Sequence, residues 1–324
     1  MPNVITCMYA KIAHPVGRCS HARHGSAMDI MQSVEEASRV VLSLEDGSEL
    51  SLVLHLFAML TAKLTEHQLG AVGPDVIEAA VRLKRLVMDA HTNKKIAASA
   101  ATALGNLSDS QLVSDILRDQ ALVHRLLTEL RTDSRNFPVA FLLACIASID
   151  YDTLQQAAPE LLSLVSTAVA NPLSPDADEG CLVLGVLLGG SFAVEIADRL
   201  CGGTITGLTV ACAILAPTEH TIGAVAALSG VVGADVHDIL RPVWAVCLNW
   251  VTMSDLRDVV CEYIVNMLTR DTAFDPGSAV RASLLAALFE VTPVTENIGR
   301  AMRCLSQTDV RSARRVARHL NMKN

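Results

Sequence analysis

The sequence predicts an all-α chain of stacked helical hairpins, and three observations lead there. An apolar, Ala/Leu-rich patch recurs along it: Phe57-Ala-Met-Leu60, Ala101-Thr-Ala-Leu104-Gly-Asn106-Leu107-Ser, Phe141-Leu-Leu-Ala144-Cys-Ile146-Ala-Ser, Leu182-Val-Leu184-Gly-Val-Leu187-Leu, Ala226-Ala-Leu228-Ser-Gly-Val231 and Tyr263-Ile264-Val-Asn266-Met267-Leu. From Leu60 through Leu104, Ala144, Leu184, Leu228 and Ile264 the steps are 44, 40, 40, 44 and 36 residues. A period near 40 is one supersecondary unit, too small to bury its apolar face alone and therefore stacked on its neighbours. Composition points the same way: 51% of the 324 residues are hydrophobic but only 3% aromatic, whereas sheets are enriched in aromatic and branched side chains. Within a unit, Leu122, Leu126, Leu127 and Leu130 recur at helical spacing, followed after a break by Val139, Leu142, Leu143 and Ile146.

Helix punctuation sets the order of elements. Pro74-Asp75 opens a helix, with proline in the first turn and Asp75 and Glu78 near its positive end. Asn136-Phe-Pro138, Ala158-Pro159-Glu160, Ala216-Pro217-Thr218 and Asp275-Pro276-Gly277 mark joints between helices. The stretch 171–180 reads as a polar loop, and Arg241-Pro242 precedes a single helix carrying Trp244 and Trp250 as packing residues. Glycines 185, 189, 190, 202 and 203 form no phosphate-binding pattern and are expected to let helices approach closely. This organisation gives a disordered leader at 1–28, a helical repeat domain at 29–299 and a basic capping helix at 300–324.

Mean hydropathy is high at +0.38, yet the most apolar runs, 180–194, 202–217 and 221–234, are shorter than the roughly 20 residues a span requires. Core helices are expected rather than membrane spans. Nine cysteines follow no paired pattern, and Cys145, Cys181, Cys212, Cys247 and Cys261 sit in apolar runs as small hydrophobes, consistent with a reducing compartment, cytoplasm first and nucleus second. Charge is polarised beneath the net value of -8: residues 29–299 carry 33 acidic against 16 basic side chains, while 300–324 carry seven basic and one acidic. An acidic body favours a basic or extended protein segment as partner and disfavours nucleic acid.

The order of short helix, longer helix, turn and longer helix resembles an armadillo repeat. Ala103-Leu104-Gly105-Asn106-Leu107-Ser108 is similar to the third-helix signature of that family, and Asn266 falls at the same phase. The resemblance, to armadillo/HEAT-type helical repeat proteins, implies a right-handed α-solenoid of about six to seven repeats. It also implies that Asn106 and Asn266 hydrogen-bond the backbone of an extended peptide on the concave face. Importin-like members carry Trp four residues before that Asn, where this chain has Thr102 and Glu262, and Glu262 joins the partner-contact positions. The family's roles include cargo adaptors, assembly factors and Hsp70-type nucleotide-exchange cofactors, so the expected function is a non-enzymatic protein-binding scaffold.

Other chemistry is set against this reading. Gly189-Gly190-Ser191-Phe192-Ala193 imitates a nucleophile elbow, with Asp235 or Asp271 and His319 in the chain order of a hydrolase; no alternating strand precedes it, and a turn between helices is expected. Cys7, His14, Cys19, His21 and His24 are zinc-ligand types at no finger spacing, and Asp176, Asp178 and Glu179 begin a calcium loop that position twelve, Leu187, does not complete. No catalytic residue, metal or cofactor is therefore assigned. Arg311, Arg314, Arg315 and Arg318 fall at i, i+3, i+4 and i+7, a cationic stripe opposite Val310, Ala313, Ala317 and Leu320, suited to capping or to an acidic partner.

Overall fold

The computed structural model describes residues 25–45, 47–200, 203–231, 238–270, 274–307 and 310–321, and these residues form helices without a strand. The chain divides into two compact units, Met1–Glu160 and Leu161–Asn324. The first helix already begins at Gly25, and the border expected at 299/300 falls inside a helix.

In the first unit, helices α1 (Gly25–Ser43), α2 (Ser48–Thr61), α3 (Glu66–Leu69), α4 (Pro74–Met88), α5 (Lys94–Asn106), α6 (Gln111–Leu117), α7 (Gln120–Thr132) and α8 (Phe137–Ile149) follow one another. Helix α2 packs on α5 and α5 on α8, so three of the recurring patches lie on helices in direct sequence-ordered contact. Outer helices close over this row: α1 on α2 and α4, α4 on α5, and α7 on α8. Leu50, Leu54, Phe57, Leu104, Leu107, Leu122, Leu126 and Leu142 are fully buried between them. Polar ties hold the outer layer. The Arg82 guanidinium donates to the carbonyls of Val41 and Leu44 at the end of α1, Arg39 pairs with Asp75 at 2.9 Å, and Lys84 Nζ reaches Asp119 at 2.7 Å and the Ile116 carbonyl at 2.9 Å.

Helix α9 (Tyr151–Val169) runs through the division between the units. It also runs through Pro159, where the sequence suggested a joint. The ring costs the helix one backbone donor, and buried Leu154, Ala157, Ala158, Leu161, Val165 and Val169 line one continuous apolar face on both sides of it.

In the second unit, helices α10 (Pro175–Gly189), α11 (Ala193–Leu200), α12 (Thr204–Leu215) and α13 (Glu219–Val231) precede a 3₁₀ turn at Arg241–Val246; α14 (Cys247–Val251), α15 (Arg257–Arg270), α16 (Ser278–Phe289), α17 (Glu296–Ser306) and α18 (Val310–Asn321) follow. This unit has a row of its own, α10 on α13, α13 on α15 and α15 on α17, with the other three patches on its first three members. We call the seven helices of the two rows the ladder helices. The expected loop at 171–180 ends at Ser174. The Ser174 hydroxyl accepts from the Asp176 N–H at 3.2 Å, Pro175 sits at the first helical position, and Asp176 and Asp178 fill the first turn, a complete start signal for α10. Trp244 and Trp250 share no single helix: Trp244 lies on the 3₁₀ turn and Trp250 on α14, both buried. Trp244 meets Phe274 edge-on at 5.1 Å and Tyr263 at 6.1 Å, while the Tyr263 hydroxyl donates to the Leu240 carbonyl at 2.9 Å.

Small residues set the ladder spacing. A methyl added at Gly180 would lie 2.6 Å from Cβ of Ala168 on α9, whereas one added at Gly185 would rest in ordinary contact, 3.8 Å from the backbone of Ala224 on α13. A Cβ at Gly189 would meet nothing within 4 Å, so close approach requires glycine at neither Gly185 nor Gly189; Gly203 instead caps α12 in the left-handed region at φ 82°. In the first unit, Cβ at Gly105 would stand 2.4 Å from the Phe141 ring. The cysteines at 145, 181, 212, 247 and 261 are buried free thiols, and burial pushes Cys145 and Cys261 up to about 12.

Replacing Gly180 with alanine tests the close approach through its sign. Helix propensity alone would stabilise the chain by about 1 kcal/mol. The contact with Ala168 predicts instead a loss of about 1–3 kcal/mol, the usual cost of overpacking, read as a lower urea midpoint.

Candidate functional site

The candidate surface is the solvent-facing edge of the ladder helices, taken unit by unit. In the first unit the edge of α5 carries Ala98, Thr102 and Asn106, all partly exposed. Asn106 Nδ2 donates to the Ala58 carbonyl at 2.9 Å and lies 3.3 Å from Thr61 Oγ1, both on α2. Thr61 bonds the same carbonyl at 3.0 Å, so the end of α2 is tied by two side chains.

In the second unit Asn266 repeats the arrangement, with Nδ2 donating to the Ala226 carbonyl of α13 at 3.1 Å while Ser229 Oγ donates to that carbonyl at 2.6 Å. Gly230 clears the way, because a Cβ there would come 3.1 Å from Asn266 Nδ2. Each of the two asparagines proposed for peptide contact thus spends an amide hydrogen on the preceding ladder helix. A bond between stacked helices is the primary task the geometry assigns to both.

Glu262 lies one turn before Asn266 on α15, half-buried. Loss of solvent, then the nearby Asp258 charge, pushes its carboxyl above the ordinary value, against the pull of Arg300 on α17. Glu179 on α10 is raised for the same leading reason, with His220 of α13 opposing and Asp178 and Asp176 reinforcing. Two carboxylates on the edges of two ladder helices are therefore held where ionisation is costly, and a cation docking beside them would relieve that cost.

The residues that join these helices at their N-terminal ends were not anticipated from sequence. Asp178 Oδ1 accepts from the Thr218 hydroxyl and Asp178 Oδ2 lies 2.9 Å from His220 Nδ1, linking α10 to the start of α13. Asp258 repeats this between α15 and α17, accepting from the Thr295 hydroxyl and from Asn297 Nδ2 at 2.9 Å, while Thr295 also caps α17. The signal was present in the local strings Thr218-Glu-His220 and Thr295-Glu-Asn297, with Asp178 and Asp258 lying 40 and 37 residues before those threonines. A second missed signal is the hydroxyl closing the last turn of a ladder helix onto a carbonyl three residues back, at Thr61, Ser108, Ser148, Ser229 and Ser306.

The arginines of the cationic stripe, Arg311, Arg314, Arg315 and Arg318, all lie exposed on α18. The packed face differs from expectation: Val316 is the buried residue, flanked by partly buried Ser312, His319 and Leu320, while Ala313 and Ala317 face solvent. Val316 supplies the apolar contact that two methyl groups cannot. Ser191 sits exposed in the turn between α10 and α11, so a helix takes the place of the strand that a nucleophile elbow requires. Asp235, Asp271 and the Cys/His group at 7–24 lie outside the described residues. Among the described residues no group of three or more His, Cys, Asp or Glu side chains is placed to hold a metal, and no single helix is long and apolar enough to cross a membrane. Asp176, Asp178 and Glu179, read as a solvated loop, belong to the first turns of α10.

No protein-family description and no curated protein matches the chain. Some solved structures align with the chain at TM-scores below 0.5. Two are crystal structures of engineered proteins from the Northeast Structural Genomics Consortium. One is 13% identical with a TM-score of 0.46, covering 97% of this chain and 82% of its own; the other is 16% identical with a TM-score of 0.44, covering 72% and 98%.

Two substitutions separate structural from binding roles. Asn266→Ala is expected to cost about 1 kcal/mol of stability, the worth of one intramolecular hydrogen bond, measured by denaturation without any partner. Glu262→Gln should raise the melting temperature at pH 7 and leave it unchanged near pH 4. Because the folded carboxyl is raised above its ordinary 4.5, wild-type stability is fully present below that value and declines as pH climbs through the shifted one.

Proposed function

We propose that this chain is a non-enzymatic scaffold of the armadillo/HEAT kind, a right-handed α-solenoid that holds a basic or extended segment of another protein along its ladder edge. The observation that supports it most is the pair of carboxylates, Glu179 on α10 and Glu262 on α15, each held partly out of water. Between those helices, α13 follows His220 with small residues at its edge, Gly223, Ala227 and Gly230, spaced i, i+4 and i+7. Its low floor leaves room for a partner backbone, and the carboxylates beside it favour Lys or Arg side chains. The negative field of the acidic body raises the association rate of such a partner. Asn106 and Asn266 retain their side-chain oxygens as acceptors for it. Cytoplasmic residence, with the nucleus as a second site, fits this role.

The test is affinity capture from the native cell with wild-type chain and with the charge-reversed Glu179→Lys/Glu262→Lys variant. Partners carrying basic segments should be recovered from the wild type and reduced about tenfold with the variant, with a matching loss at raised salt as exposed charges are screened within about 8–10 Å. Recovery of the same proteins in the same yield by both would overturn the reading.

A further inference from the structure

A groove in the second unit lies between the end of α16 and the face of α18, about 480 Å³, lined by Phe289, Glu290, Arg311, Arg314, Arg315, Arg318 and His319. From the side chains in that groove we infer a second docking site, independent of the ladder edge, that binds an extended acidic segment of a partner protein.

Capping alone does not account for this helix. A terminal helix needs a polar outer face, which a mixture of both signs supplies. Here all four charged positions of Val310–Asn321 are arginine, without one lysine or acid. Arg311 and Arg315, and Arg314 and Arg318, are like charges at i, i+4, and Arg311 sits in the first turn at the positive helix end; both arrangements weaken a helix. Among the described residues no ion pair is made by Arg314, Arg318 or Glu290. The unfavourable charges gather on one groove, and a negative ligand lying in it would relieve them.

The groove is also pre-shaped. Arg315 stacks its guanidinium 4.2 Å over the Phe289 ring, whose edge contact with His319 at 5.0 Å keeps the ring in place. A stacked guanidinium presents its N–H edge outward, suited to two-point contact with a carboxylate. Spacing selects the form of the ligand. Arginines one turn apart are offset by about 6 Å along the axis, close to the roughly 6.6 Å between alternate side chains of an extended peptide. A segment with acids at every second position meets the pairs Arg311/Arg315 and Arg314/Arg318 in register. A nucleic acid strand has similar charge spacing, but residues 161–299 hold fifteen acidic and five basic side chains, which repel a polyanion extending beyond the groove. A short acidic peptide avoids that repulsion, meeting Glu290 as the one acid among the groove's lining residues.

Fluorescence anisotropy with the full chain tests this, using a labelled peptide of alternating glutamates, its glutamine counterpart and a single-stranded oligonucleotide of equal charge. The glutamate peptide should bind, the glutamine peptide should not, and Arg314→Gln/Arg318→Gln should weaken binding at least tenfold. Both sites are exposed, so circular dichroism should be unchanged and the melting temperature equal or slightly higher, because the like-charge pair is removed. Arg315→Lys keeps the charge but loses the stacked plane, and should weaken binding about threefold to fivefold. Equal binding by wild type and the double variant, or tighter binding of the oligonucleotide than of the peptide, would overturn the proposal.

Discussion

Contact between one ladder helix and the next, made over alanine and glycine, is the constraint on which both units rest. A core with so few aromatic side chains gains little from any single residue, so it must gain from proximity. Gly105 beneath the Phe141 ring and Gly230 beside Asn266 bring ladder helices together where a larger residue would press on its neighbour, and Gly180 does the same between α10 and α9. Once helices are this close, their terminal carbonyls fall within reach of a neighbour's short polar side chain. That proximity is why Asn106 and Asn266 tie helices through a neighbour's carbonyl, while Asp178 and Asp258 do so by accepting from side chains at the start of the next ladder helix.

The same closeness shapes the surface. Glu179 and Glu262 flank a helix edge of Gly223, Ala227 and Gly230, and loss of solvent raises the proton affinity of both, against the pull of His220 on the first and Arg300 on the second. The terminal helix faces the opposite problem. With Val316 as its buried anchor, α18 has little apolar area to bury and presents its arginines to solvent and to the Phe289 groove. The two surfaces carry opposite sign and are built on different elements.

Much of the fold was legible in the sequence because periodicity survives without knowledge of partners. All six patches lie on ladder helices, and the buried cysteines follow from their apolar neighbours. Misreadings cluster where two local signals compete. Pro159 reads as a break, yet the apolar face of α9 continues past it and burial outweighs one lost hydrogen bond. The acids after Ser174-Pro175 read as a loop by composition, whereas their place in a capped first turn makes them helix-forming. Pairwise ties were harder to see. Asp178 with Thr218 and His220, or Asp258 with Thr295 and Asn297, requires comparing residues about 40 apart at polar positions, where the apolar period offers no guide. The Arg stripe was visible, but the aromatic floor that turns it into a groove comes from Phe289, on a helix twenty-odd residues earlier in the chain.

The placement of the tryptophans has a consequence for spectroscopy. Both of the chain's indoles, Trp244 and Trp250, belong to the second unit and are buried, Trp244 against Tyr263 and Phe274, while the first unit contains none. Intrinsic emission excited at the red edge of the absorption band is thus a reporter for half of the molecule, whereas far-ultraviolet dichroism averages over all of it. If the two halves lose structure at different denaturant concentrations, the two optical signals will part company, and the gap between them measures how independently the halves melt.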